Sequence, residues 1–107
     1  MKKYLIQYHD GDKPASKELA QKQRQDWMAW VEELGELVIN PGTPLLASFL
    51  INKKDGLFEE SNESFTHGTA IIQAKDQAHI TKLVAQDPFL NTNGFIRVSE
   101  MMEMPGS

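Results

Sequence analysis

Three histidines, His9, His67 and His79, are the side chains of this chain best placed to move a proton near neutral pH. His9 closes the alternating stretch "KYLIQYH" and His67 stands near the start of "FTHGTAIIQAK". Alternation in those stretches puts both on the face that also carries Gln7 and Thr69. His9 and His67 are therefore the candidate acid–base residues, and Gln7 and Thr69 are candidate ligand contacts. The competing reading is that both histidines are polar residues at strand ends. His79 falls in the first turn of a short helix and reads as solvated. Arg97, on the last strand, could hold an anionic ligand or pair with a carboxylate such as Glu103 or Asp87. A salt bridge between subunits would use it equally well. Asp26 and Glu33 stand near Trp27 and Trp30, and a carboxylate against tryptophan can have a raised pKa. Both also fit the wet side of a helix whose tryptophans belong to the core. Asp87, in "AQDPFLNTNGF", joins the candidates as an acid whose turn would hold the last strand and Arg97 in place.

The remaining chemistry is narrowed by what the sequence lacks. There is no cysteine, which excludes disulfides, thiolate nucleophiles and cysteine-ligated metals. No H-x-H or H-x-x-x-H spacing occurs, nor a phosphate-binding glycine loop, nor a G-x-S-x-G elbow, so no metal or cofactor is expected. The 11 basic and 15 acidic residues are mixed along the chain, giving a net charge of −4. Nucleic-acid binding normally needs a clustered basic footprint, which is missing. No apolar run long enough for a signal peptide or a membrane span is present, and a cytoplasmic location is expected.

The elements that must carry these residues follow from periodicity. Lys3 to His9 reads as a strand, broken by Gly11 and Pro14. Ser16 caps a helix whose apolar stripe runs through Leu19, Ala20, Trp27, Trp30, Val31, Leu34 and Leu37 or Val38 and ends before Asn40-Pro41-Gly42. Pro44 to Lys54 reads as a second strand, and Lys54 to Ser64, with its Asp55-Gly56 turn signal, as a long mobile hairpin loop. Phe65 to Lys75 is a third strand. Asp76 caps a short helix with Ile80, Leu83 and Val84 inward, and Gly94 to Met104 is a fourth strand.

Strand, helix, strand, strand, helix, strand in 107 residues predicts a single domain over 1–107. The predicted fold is a ferredoxin-like α+β sandwich with sheet order 4-1-3-2 and both helices on one face. Tyr4, Ile6, Tyr8, Ala70, Ile72, Ala74, Ile96 and Val98 then face the helices. The open face is left with Leu5, Gln7, His9, His67, Thr69, Ile71, Gln73, Arg97, Ser99, Met101 and Glu103. This mixed surface suits a dimer that encloses a pocket, a wet dimer interface without a ligand, or a ligand surface.

"MKKYLIQYH", "WMAWVEELGELVINPGTPLL", "GTAIIQAKDQAHITKLVAQDPFL" and "IRVSEMMEMPGS" together resemble the YCII-related family of the dimeric α/β-barrel superfamily, over nearly the full length. Trp27 to Leu46 and the Asp87-Pro88-Phe89 element are its specific parts. The resemblance implies a homodimer whose sheets face each other across a cleft, with Asp87 at the cleft mouth. One branch of that family carries a histidine at the start of the first helix, proposed to work with an aspartate. Here that place reads "KPASKELAQ", so the dyad does not carry over. Two functional readings remain, because a fold does not fix a function. One is cofactor-free binding or acid–base chemistry on a small organic molecule in a dimer cleft lined by Gln7, His9, His67, Thr69, Asp87 and Arg97. The other is a non-catalytic dimeric interaction module. Whether the chain is an enzyme is open at this point.

Overall fold

The computed structural model describes residues 1–46, 49–54, 56–59 and 66–103. The strands are β1 (Lys2–His9), β2 (Val38–Pro44), β3 (Phe49–Asn52), β4 (Gly56–Glu59), β5 (Thr66–Ala74) and β6 (Phe95–Glu100). The helices are α1 (Lys17–Leu34) and α2 (Gln77–Val84), and short 3₁₀ turns occupy Gly35–Leu37 and Pro88–Thr92. The main sheet is antiparallel throughout, in the order β2-β5-β1-β6. Counted in chain order within that sheet, this is the expected 4-1-3-2 topology.

β1 lies inside the sheet, and its alternation decides which face is dry. Tyr4, Ile6 and Tyr8 are buried, whereas Leu5 and Gln7 between them are half-buried. Trp30 and Leu34 of α1 and Ile80 and Val84 of α2 complete the core on that side. Ala70 and Ala74 of β5 face the same core. Ile6, Ile72 and Ile80 are fully enclosed. Each contributes roughly 1.5–3 kcal/mol by leaving water. Ser16 and Asp76 cap the two helices as expected, accepting from the N–H groups of Leu19 (3.1 Å) and His79 (2.9 Å). No helix among the described residues is long and apolar enough to cross a membrane.

The middle of the chain departs from expectation. α1 stops at Leu34, where Gly35 takes a positive φ of 59° as its C-cap, and does not run on to Asn40. The second strand of the main sheet is Val38–Pro44 rather than Pro44 to Lys54. "NPG" reads as a breaker, yet it lies inside this strand. β2 is at the sheet edge, where a proline removes no ladder hydrogen bond, and register shifts on both sides of Asn40 absorb the irregularity. The expected second strand and hairpin loop instead hold a separate two-stranded hairpin, β3–β4. Asp55 and the remainder of that loop, residues 60–64, lie outside the described residues, as do residues 47 and 48 of the expected second strand, Phe65 of the expected third and Met104. The last strand ends at Glu100, which leaves Met101 and Glu103 beyond it.

Candidate functional site

The site begins where α2 ends. The Asp87 N–H bonds the Val84 carbonyl at 2.9 Å, and Pro88 then opens a 3₁₀ turn that needs no N–H from it. The Asp87 carboxylate caps that turn, with Oδ1 accepting from the Phe89 N–H at 2.9 Å. Oδ2 accepts the Tyr8 hydroxyl proton at 2.7 Å, across 79 residues of sequence. Asp87 is 2% exposed and Tyr8 7%. Among the described residues no lysine or arginine forms an ion pair with Asp87. Burial therefore raises the Asp87 pKa above the ordinary aspartate value, opposed by the two hydrogen bonds it accepts, from Phe89 and Tyr8. Burial also pushes the Tyr8 phenol up, and the Asp87 charge beside it adds to the effect. The Trp27 side chain, whose indole N–H is a donor, favours the phenolate and pulls the other way.

Tyr8 forms part of the wall of a cavity of about 460 Å³ between α1 and the end of the sheet. Arg24 and Trp27 of α1, Phe89, and Gly42 and Gly68 on β2 and β5 enclose it further. The Tyr8 and Phe89 rings meet edge to face with centroids 4.9 Å apart. Phe89 is held close to the backbone: a Cβ on Gly94 would lie 2.5 Å from its ring. Gly42 has φ +144°, a conformation that favours glycine, and a Cβ there would stand 3.1 Å from the Trp27 ring. Asp87 does not line the cavity. It stands behind Tyr8, so a bound molecule meets the carboxyl only through the phenol. When Asp87 is ionised, the Tyr8 O–H is committed to it. When Asp87 is protonated, its own O–H can donate to Tyr8 and free the phenolic proton for the cavity.

Within one protomer the six residues singled out from the sequence fall in different places. Gln7 pairs with Thr69 on one side and Arg97 on the other, forming a row across the face away from the helices. His9 is buried, and its ring stacks on Phe95 at 4.9 Å and 11°. His67 is exposed and, with Thr69, borders the cavity. Asp87 does cap a turn, but it is enclosed rather than at a rim, and the sheet separates it from Arg97. A 3₁₀ turn that folds back onto the core draws it inward. Asp26 is exposed and paired with Lys22 at 2.9 Å, and Glu33 is exposed, as the wet-side reading has it. His79 is half-buried, its Nδ1 accepting from the Lys75 N–H at 3.0 Å.

Sequence reasoning passed over Tyr8, Arg24, Trp27 and Phe89. Two signals were available. Arg24 and Trp27 are three apart on one helix, which puts a cation and an indole on the same side. Tyr8 is the last inward residue of β1 and the one beside the turn that follows.

The fold and the cavity together define a small ferredoxin-like α+β protein with a pocket of small-molecule size. The chain belongs to the YCII-related family, whose domain profile matches residues 3–105. Among solved structures it is similar to 5-chloro-2-hydroxyhydroquinone dehydrochlorinase from Burkholderia phenoliruptrix, in complex with 2,5-dihydroxybenzoquinone. The two share 18% identity at a TM-score of 0.56, over 94% of this chain and 95% of that one. This likeness supports the fold. No curated protein matches the sequence.

Proposed function

We propose that the chain is a small-molecule-binding protein whose ligand occupies the cavity between α1 and the sheet, and that Tyr8, backed by Asp87, handles a proton on that ligand without a cofactor. The observation that carries this reading is the Tyr8–Asp87 hydrogen bond at the cavity wall. A buried carboxyl with a raised pKa is a costly group to keep in a core, and such groups concentrate at functional sites. Tyr8 is the residue in reach of a ligand, and Asp87 positions the Tyr8 proton. His67 and Thr69, at the border of the same cavity, are further candidate contacts. The dehydrochlorinase of similar fold was captured with a small quinone, which supports an organic ligand for this chain as well.

A thermal-shift screen against a metabolite library tests the reading, because a bound ligand stabilises by mass action. We expect at least one hit whose shift is lost in Tyr8→Phe and altered in its pH dependence in Asp87→Asn. Hits that bind both variants as they bind the wild type would sink the role of the pair.

The face away from the helices supports a homodimer. Leu5 and Ile71 are only half-buried there, and Ile39 on the neighbouring edge strand is 47% exposed. Gln7 and Arg97 lie on this face and would belong to the interface rather than to the cavity. Sedimentation at micromolar concentration should show a dimer. A dimer with no hit from the library would favour the non-catalytic interaction module.

A further inference from the structure

Resting on the reading that this cavity binds a ligand, we propose that it takes a planar aromatic ring bearing one anionic group, the ring lying among Trp27, Phe89 and Tyr8 and the anion on Arg24. Three independent features of the cavity select those properties.

The first is the wall. Trp27, Phe89 and Tyr8 supply three aromatic surfaces, and the edge-to-face pairing of Tyr8 with Phe89 fixes how two of them are presented. Aromatic rings gain more than area burial alone gives when they meet such surfaces in offset or edge geometry.

The second is shape. Gly42 and Gly68, on the adjacent strands β2 and β5, contribute bare backbone where side chains would otherwise fill the space. Close approach of the Trp27 ring to Gly42 leaves a surface suited to a flat molecule. Gly68 cannot be enlarged freely either, since a Cβ there would lie 3.1 Å from the Thr43 carbonyl oxygen.

The third is charge. Arg24 lines the cavity and, among the described residues, forms no ion pair. Among the described residues no carboxylate lines the cavity with it, since Asp87 is screened behind Tyr8. A guanidinium stays ionised and presents a planar fork that matches a carboxylate in two parallel hydrogen bonds. One helical turn separates Arg24 from Trp27. A ring against the indole therefore brings a substituent on its edge towards the guanidinium.

The two tryptophans make the test direct. Trp27 lines the cavity, whereas the Trp30 Nε1–H is held by the Leu83 carbonyl at 3.2 Å inside the core. In a ¹⁵N-labelled sample, the two indole N–H resonances report site and core separately. Benzoate, benzamide and cyclohexanecarboxylate serve as probes: a planar anion, its neutral analogue and a non-planar anion. We expect benzoate to move the Trp27 resonance saturably and leave that of Trp30 in place. Benzamide and cyclohexanecarboxylate should each bind about tenfold more weakly, the scale of one charge-assisted contact or one ring contact. Arg24→Gln should lower benzoate affinity to that of benzamide and leave benzamide binding unchanged. Arg24 is exposed, so the variant should fold, and its thermal midpoint checks that. Equal binding of the three probes, or benzoate binding indifferent to Arg24→Gln, overturns the proposal. A failure of benzoate to move Trp27 overturns it as well. In that case a non-aromatic or uncharged hit from the metabolite library leaves the broader ligand-binding reading standing, whereas a library with no hit removes both.

Discussion

β1 presents two faces built from alternating residues of one strand, and they differ in kind. On the inner face Tyr8 is closed in, its hydroxyl given to a buried carboxylate and its ring set against Phe89. On the outer face Gln7 sits between Thr69 and Arg97, half-buried and within reach of water. Polar groups on the outer face can exchange partners with solvent or with a second copy at little cost. Those on the inner face cannot, because an unmet donor or acceptor there bears its full desolvation penalty. The contrast shows why the side of a strand matters more than residue type. Histidine and arginine look like chemistry in a sequence, but here the constrained polar pair is a tyrosine and an aspartate.

Substitutions that load one face and spare the other should break this comparison cleanly. The largest effect is expected on the outer face. Leu5→Arg would bury a charge at the proposed dimer interface and weaken self-association by at least about 2 kcal/mol, roughly 30-fold. Sedimentation equilibrium would read it, with the Trp27 indole resonance unmoved. On the inner face, Tyr8→Phe strands the Asp87 Oδ2 and should cost about 1–3 kcal/mol in chemical denaturation, with self-association intact. If this variant shifts the oligomer and leaves stability alone, the division between the faces is wrong.

A smaller effect sharpens the inner face further. The folded-state pKa of Asp87 lies above its ordinary value, so the folded chain holds that proton more tightly than the unfolded chain does. Its contribution to stability is fully present below the ordinary aspartate pKa and is lost as pH rises through the raised folded value. Wild type should therefore lose stability relative to Asp87→Asn across that window, by up to about 1.4 kcal/mol per pH unit. A constant difference between the two thermal midpoints over the same range would contradict the raised pKa. The smallest effect belongs to the solvent side of α1. Asp26→Asn removes only the exposed pair with Lys22 and should cost no more than about 0.5 kcal/mol.

Much of the fold could be read from alternation and caps. β1, α2 and β5, the capping residues Ser16 and Asp76, the sheet order and the choice of inner face all follow from local pattern. β2 did not, because "NPG" reads as a stop wherever the strand's place in the sheet is unknown, and only an edge position tolerates it. The site was less legible for a related reason. Asp87 reads as a turn acid from its neighbours Pro88 and Phe89, and it is one. Its second role depends on where Tyr8 lies in space, and that is set by the packing of α2 against the sheet rather than by anything near position 87. Arg24 and Trp27 were visible as a helical pair, but their relation to Gly42 depends on a bulged strand that the local pattern hides.

The separation between Tyr8 and Asp87 also bears on how the molecule comes to exist. Their hydrogen bond closes a loop of 79 residues, so it spans most of the chain. Contacts of that span come at a high entropic cost during folding and form after the local hairpins and helices that shorten the path between them. During synthesis, the first strand, the first helix and the edge strand all emerge before the aspartate has been made. Until the chain has grown past position 89, the pocket therefore lacks Phe89 from its wall and Tyr8 lacks the carboxylate that takes its proton.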